Sequence, residues 1–132
     1  MMEPTVWQMI VCEDARVRKG TQGKIDVFGV MNILRAPVDA FPMHLSCSVF
    51  LCLTDCRGSG RGAIVIANDE TDEEVYIGES HTFHFGSDPI KLFSTTLRVP
   101  LCVLPSPGLY RVEFVYNETV LGKYPLLVKE TP

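Results

Sequence analysis

Strict alternation of apolar and polar side chains near the end of the chain dictates the kind of fold. From Gly108 to Tyr116 every second side chain is apolar and aromatic or branched: Tyr110, Val112, Phe114 and Tyr116. A second run repeats the pattern after Asn117-Glu118, with Val120, Tyr124, Leu126 and Val128. A period of two is typical of a strand with one buried face. We therefore expect an antiparallel hairpin at the edge of a β-sandwich, with Tyr110 as a corner tyrosine whose hydroxyl binds nearby backbone.

The rest of the chain shows the same period and no capped helical stripe. Strands are predicted over about residues 6–17, 24–34, 44–55, 63–67, 75–78, 81–85 and 92–104, and a flexible turn over Arg57–Gly62. The expected buried positions are Leu45, Cys47, Val49, Leu51 and Leu53 in the third strand, and Phe93, Leu97, Val99, Leu101 and Val103 in the last of these. With the final hairpin this gives about eight or nine strands. Prolines at the connections, such as Pro37 and Pro42, favour a two-sheet antiparallel sandwich over a barrel. All 132 residues form a single domain in this interpretation.

Composition excludes several functional classes. The net charge of −4 argues against nucleic-acid binding, which needs a clustered basic excess. No apolar run is long enough for a membrane span, and the first residues lack the features of a secretory signal. Five cysteines are an odd number, so a disulfide framework is not expected without export. These features predict a cytoplasmic protein.

Two groups of charged residues are the candidate contact sites. The acidic turn consists of Asp69, Glu70, Asp72, Glu73 and Glu74, and without it the other acidic residues nearly balance the 12 basic ones. The basic corner consists of Arg16, Arg18, Lys19 and Lys24. Complementary charged surfaces orient and accelerate association. We therefore expect a non-catalytic module for protein interaction or assembly, whose partner is another protein or a second copy of the chain.

Two alternatives use other chemistry. The chain could be a binding domain that depends on calcium or a small ligand at the acidic turn. Calcium prefers carboxylate oxygens and would need Asp14 or Asp88 close to the turn. A zinc protein or thiol-dependent enzyme could use His44, Cys47, Cys52 and Cys56, but strand geometry separates these side chains. His81 and His84 are three residues apart and so face opposite sides of a strand. No nucleophile motif is present, so no catalytic residue, metal ligand or cofactor is assigned, and an enzyme is not expected.

Four segments together carry a family resemblance: Cys12-Glu13-Asp14-Ala15, Gly23–Val30, Pro107-Gly108-Leu109-Tyr110 and Pro125–Val128. In order and spacing the chain resembles an uncharacterised bacterial family of small cytosolic β-sandwich domains of unknown function. The resemblance implies an immunoglobulin-like all-β fold and carries over no catalytic residues. The middle of the chain, with Cys47, Cys52, Cys56 and the acidic turn, departs from the family pattern.

Overall fold

The computed structural model describes residues 3–20 and 23–132 and is built from ten strands. They are β1 Thr5–Val17, β2 Ile25–Val30, β3 Ile33–Pro37, β4 Met43–Thr54, β5 Cys56–Asn68, β6 Glu74–Ile77, β7 His81–Ile90, β8 Phe93–Leu104, β9 Gly108–Tyr116 and β10 Thr119–Thr131. A short 3₁₀ turn, Val38–Ala40, follows β3. The all-β sandwich predicted from the alternation is confirmed. None of the described helical segments is long and apolar enough to cross a membrane.

Two sheets pack face to face. The first has the strand order β2-β1-β4-β8, and the second has the order β3-β10-β9-β5-β6, with β7 continuing the β6 edge along β5. Pairing is antiparallel except between β10 and β3, which run parallel with Leu127 beside Ile33. The predicted antiparallel sandwich thus contains one parallel pair among its described strands. The final hairpin is also not at an edge, because β9 lies between β10 and β5.

The core lies between the inner faces of the sheets. The four alternating residues of β9, Tyr110 to Tyr116, are all buried, as are Leu45 to Leu53 at every second position of β4. Tyr110 donates a hydrogen bond of 2.6 Å to the carbonyl of Ser106, so the predicted corner tyrosine is confirmed. Burial of these side chains supplies the hydrophobic driving force of the fold.

The predicted strand over 24–34 is instead two strands that belong to different sheets. β2 pairs with β1 and ends at Val30, whereas β3 pairs with β10. Gly29 has a φ of +63°, a conformation that glycine adopts without steric cost. Alternation alone did not reveal that the chain changes sheets here. The connection through Pro37 and Pro42 then crosses back to β4, as expected.

The glycine-rich segment Arg57–Gly62 is wrongly predicted as a flexible turn and is the first half of β5. A Cβ atom at Gly60 would overlap the Tyr116 ring, and one at Gly62 would lie 2.6 Å from the Phe83 ring. These glycines are therefore present because aromatic rings occupy the space above them. A strand can contain glycine where another group approaches closely.

Bulges change which side chains of β8 and β10 face the core. Between Leu45 and Cys47 the register with β8 shifts by one residue, so Cys102 and Leu104 face the core while Leu101 is 54% exposed. A similar shift in β10 leaves Val120 42% exposed. The predicted inward orientation of Leu101, Val103 and Val120 is therefore wrong. An extra residue exchanges the two faces of every position beyond it.

The end of the β1–β2 hairpin lies over the outer face of the first sheet. Residues 15–17 and Ile25 line a cavity of about 130 Å³ together with Phe50 and residues 94–96. This position explains why Phe50, on the outer face of β4, is only 7% exposed.

Candidate interaction surfaces

The acidic turn connects β5 to β6, and hydrogen bonds from its backbone to Asn68 hold it in place. Asn68 Oδ1 accepts hydrogen bonds from the N–H groups of Glu70 (2.9 Å) and Thr71 (3.1 Å). The N–H of Asp72 donates to the Asn68 carbonyl at 2.9 Å. An asparagine side chain that binds backbone two residues ahead is a common way to fix a turn. The turn is therefore an ordered element.

Arg111 on β9 binds the acidic turn from the outer face of the second sheet. Its guanidinium lies 3.1 Å from Asp69 Oδ1, 2.8 Å from Asp72 Oδ1 and 3.3 Å from Glu113 Oε2. The pKa of the Arg111 guanidinium is raised most by its hydrogen bond to Asp69 and next by its hydrogen bond to Asp72. One cation thus neutralises part of the charge that made the turn conspicuous in the sequence.

The acidic turn therefore divides into two groups. Asp69 and Asp72 are committed to Arg111, whereas Glu70, Glu73 and Glu74 are exposed. Calcium at this turn would compete with the guanidinium for the same carboxylates. Across residues 3–20 and 23–132, no cluster of three or more His, Cys, Asp or Glu side chains has a geometry that could hold a metal ion.

The basic corner is also partly neutralised, by carboxylates of β1 and β2. Arg16 Nε lies 2.6 Å from Asp14 Oδ2, and its guanidinium is 5.8 Å from the centre of the Phe28 ring. Arg18 Nε donates to Asp26 Oδ2 at 3.0 Å. The hydrogen bond from Arg16 lowers the pKa of Asp14, and that from Arg18 lowers the pKa of Asp26.

Lys19 and Lys24 are exposed beyond these ion pairs. The predicted turn between them includes Thr21 and Gln22, which lie outside the described residues. The basic corner belongs to the first sheet and the acidic turn to the second. Within the described chain no hydrogen bond or ion pair joins the two groups, so the structure does not bring the nine predicted contact residues together.

The cysteines have the environment of packing residues. All five are buried and unpaired. Burial raises the pKa of Cys47 to about 12 and that of Cys102 to about 11. Since the thiolate is the reactive form, a raised pKa opposes nucleophilic or metal-binding chemistry.

A groove on the outer face of the second sheet is the feature that sequence reasoning missed. It has a volume of about 480 Å³ and is formed by β5, β9, the β9–β10 turn and the segment between β6 and β7. Its floor consists of Gly62, Ala63 and Val115, and its rim consists of Arg61, Ser80, Asn117 and Glu118. Ala63 and Val115 are cross-strand partners, and Val120 is the next residue in the same row.

The rim of the groove is fixed by hydrogen bonds. Arg61 Nε donates to Ser80 Oγ at 3.0 Å. The N–H of Arg61 donates to Asn117 Oδ1 at 2.9 Å, and the N–H of Asn117 donates to the Arg61 carbonyl at 2.8 Å. Asn117 and Glu118 have φ values of 48° and 69°, the left-handed region that suits a two-residue hairpin turn. Because Arg57–Gly62 is predicted to be a flexible turn, the sequence does not indicate that Arg61 lies on a strand beside a groove. The turn at Asn117-Glu118, in contrast, can be predicted from the sequence.

These observations define a small two-sheet β-sandwich domain with two charged turns and a shallow groove. The chain belongs to the Family of unknown function (DUF6941), whose model matches residues 8–129. The resemblance to an uncharacterised family is confirmed at this level. No curated protein matches the chain.

One solved structure that resembles the chain is described as a "Putative Lipoprotein from Bacillus anthracis". The sequences are 17% identical, the similarity covers 94% of this chain and 87% of that one, and the TM-score is 0.40. A similarity this low transfers no property of that protein.

Proposed function

We propose that this chain is a non-catalytic protein-interaction module that binds its partner through the groove on the second sheet. The observation that carries the proposal is the combination of an apolar floor, Ala63 and Val115, with a polar rim whose arginine is held in place. Binding sites combine apolar walls with a few well-positioned polar groups.

A protein partner fits the surroundings of the groove better than an isolated small molecule. Val120 extends the apolar row from the floor onto the open face of the sheet and is 42% exposed. Ile77, on the neighbouring β6 edge, is 69% exposed. A partner that covers the groove could bury these side chains as well, with the polar groups forming the rim of the interface.

The chemistry of the groove also supports binding over catalysis. Ser80 is the hydroxyl on its rim, and it accepts a hydrogen bond from Arg61. Among the described residues, no histidine or carboxylate is hydrogen-bonded to Ser80, as a serine nucleophile would require. The thiols are buried elsewhere, and burial raises the pKa of Cys47 and that of Cys102.

The charged turns have a secondary role in this proposal. Glu70, Glu73 and Glu74 on one sheet, and Lys19 and Lys24 on the other, orient the approach of the partner through long-range electrostatics. The five unpaired thiols support a location in a reducing compartment, the bacterial cytoplasm, where cysteines stay reduced.

Site-specific photo-crosslinking in the native host tests the proposal. A photoreactive phenylalanine analogue at Val120 would lie beside the groove, and the same analogue at Leu101, exposed on the other sheet, is the control. We expect one discrete adduct from position 120 that is absent from position 101 and is reduced by Arg61→Gln. Equal adducts from both positions, or none from position 120, would refute the groove as the binding surface. The mass of the adduct distinguishes a second copy of the chain from a different protein.

A further inference from the structure

Arg61 is a cation whose charge is not matched by a carboxylate of the described chain. Arg16, Arg18 and Arg111 each form an ion pair. Arg61, in contrast, has only the neutral Ser80 hydroxyl as a side-chain partner within residues 3–20 and 23–132. This bond uses Nε and leaves the two terminal nitrogens of the guanidinium for another acceptor.

The position of Arg61 is fixed before any ligand arrives. Its backbone is bonded to Asn117 in both directions, and its strand is paired with Thr82 of β7. A guanidinium held in this way loses little conformational freedom on binding, which favours affinity. Its planar donor pair matches the two oxygens of a carboxylate.

The floor beside Arg61 accommodates apolar side chains. Ala63 and Val115 are small and half-buried, and they face outward from adjacent strands. Glu118 stands on the same rim and would repel a highly anionic ligand. The groove therefore matches a ligand with one carboxylate next to apolar groups.

We infer that the groove binds a peptide segment of the partner protein in which a single acidic residue is flanked by apolar residues. The acidic side chain pairs with Arg61, and its apolar neighbours cover Ala63 and Val115. This inference rests on the proposed interaction function and specifies the partner's chemistry.

A titration followed by amide NMR spectra tests the inference. The probes are the capped peptide Ala-Val-Glu-Val-Ala and its glutamine analogue, with sodium propionate as a third arm. We expect the glutamate peptide to shift the amide signals of Arg61, Ala63, Val115 and Asn117. The glutamine analogue should bind about tenfold more weakly or worse, because a charge-assisted hydrogen bond is lost.

Two variants complete the design. Arg61→Gln should abolish the preference for glutamate, whereas Arg57→Gln, which removes an exposed arginine outside the groove on the same strand, should retain it. Equal affinity for the two peptides, no shifts at millimolar peptide, or equal shifts with propionate alone would overturn the inference. If the peptides fail while the crosslink at position 120 still forms, the acidic peptide is wrong and the interaction function stands. If both fail, the proposed function fails with it.

Discussion

The guanidinium of Arg111 lies 2.8 Å from Asp72 Oδ1, across a chain separation of 39 residues. The same side chain reaches Asp69, so strand β9 fastens the turn that joins β5 and β6. The most acidic segment of the sequence is thus part of the structure of the second sheet, and only its glutamates remain available for a partner.

Replacing Arg111 should loosen the acidic turn. In Arg111→Gln, Asp69 and Asp72 repel each other without a cation between them, so we expect a lower melting temperature. We also expect faster cleavage by a glutamate-specific protease after Glu70, Glu73 and Glu74. Arg57→Gln removes an exposed arginine from β5 and should change neither measurement. Unchanged cleavage in Arg111→Gln would show that the Asn68 bonds hold the turn alone.

The stability of the fold should depend on the hydroxyl of one buried tyrosine and not on that of another. Tyr110 donates a hydrogen bond to Ser106, so Tyr110→Phe should cost about 1 kcal/mol of unfolding free energy. The hydroxyl of Tyr116 is buried without a partner among the described residues, so Tyr116→Phe should be neutral or stabilising. Urea denaturation of the two variants gives the comparison. Equal destabilisation would mean that Tyr116 has a partner, such as a buried water.

Stability should fall at alkaline pH because of the buried thiols. The pKa of Cys47 is about 12 in the folded chain, whereas an exposed cysteine has a pKa of about 8.5. Between these values the unfolded chain releases a proton that the folded chain retains, so rising pH favours unfolding by about 1.4 kcal/mol per pH unit for this thiol. Below pH 8.5 the contribution is fully present.

This effect is measured by urea unfolding of Cys47→Ala at a series of pH values from 8 to 11, about one pH unit apart. The variant should show a shallower pH dependence than the natural chain. Val49→Ala, which truncates a buried neighbour on the same strand, should lose stability without any change in that dependence. Parallel curves for all three proteins would contradict the raised pKa of Cys47.

The turn at Asn117-Glu118 offers a separate test. Glu118 has a φ of 69°, where a side chain is disfavoured and glycine is not. Glu118→Gly should therefore raise the unfolding free energy by up to about 1 kcal/mol. If the groove discriminates against strongly anionic ligands through Glu118, the same variant should bind an all-glutamate peptide more tightly. A stabilised variant with unchanged peptide preference would separate Glu118 from recognition.

The sequence predicted the sandwich well because alternation reports burial directly. Every second residue from Tyr110 to Tyr116 is buried, as expected. The expected inward residues of β4, Leu45 to Leu53, are also buried, but so are Ser48, Phe50 and Cys52 between them. It failed at Leu101 and Val120, because a bulge is a feature of the pairing between two strands and leaves no mark in either strand alone.

The prediction with the largest consequence for the candidate site is the flexible turn over Arg57–Gly62, which is wrong because of its glycines. Arg57–Gly62 has the composition of a turn, but its glycines accommodate Tyr116 and Phe83, which are far away in the sequence. Since the first half of β5 is not predicted as a strand, the groove beside Arg61 could not be predicted either. The charged turns were found from composition, yet their ion pairs with Arg111, Asp14 and Asp26 depend on which strands become neighbours.

The parallel seam between β3 and β10 has a consequence for synthesis in the cell. Ile33 is synthesised long before its partner Leu127, because 94 residues separate the two along the chain. Until then β3 is an unpaired strand with an exposed backbone, open to association with other nascent chains. The second sheet is therefore completed only after β10 has been made, and a chaperone that covers early strands should raise the yield more than a slower rate of translation.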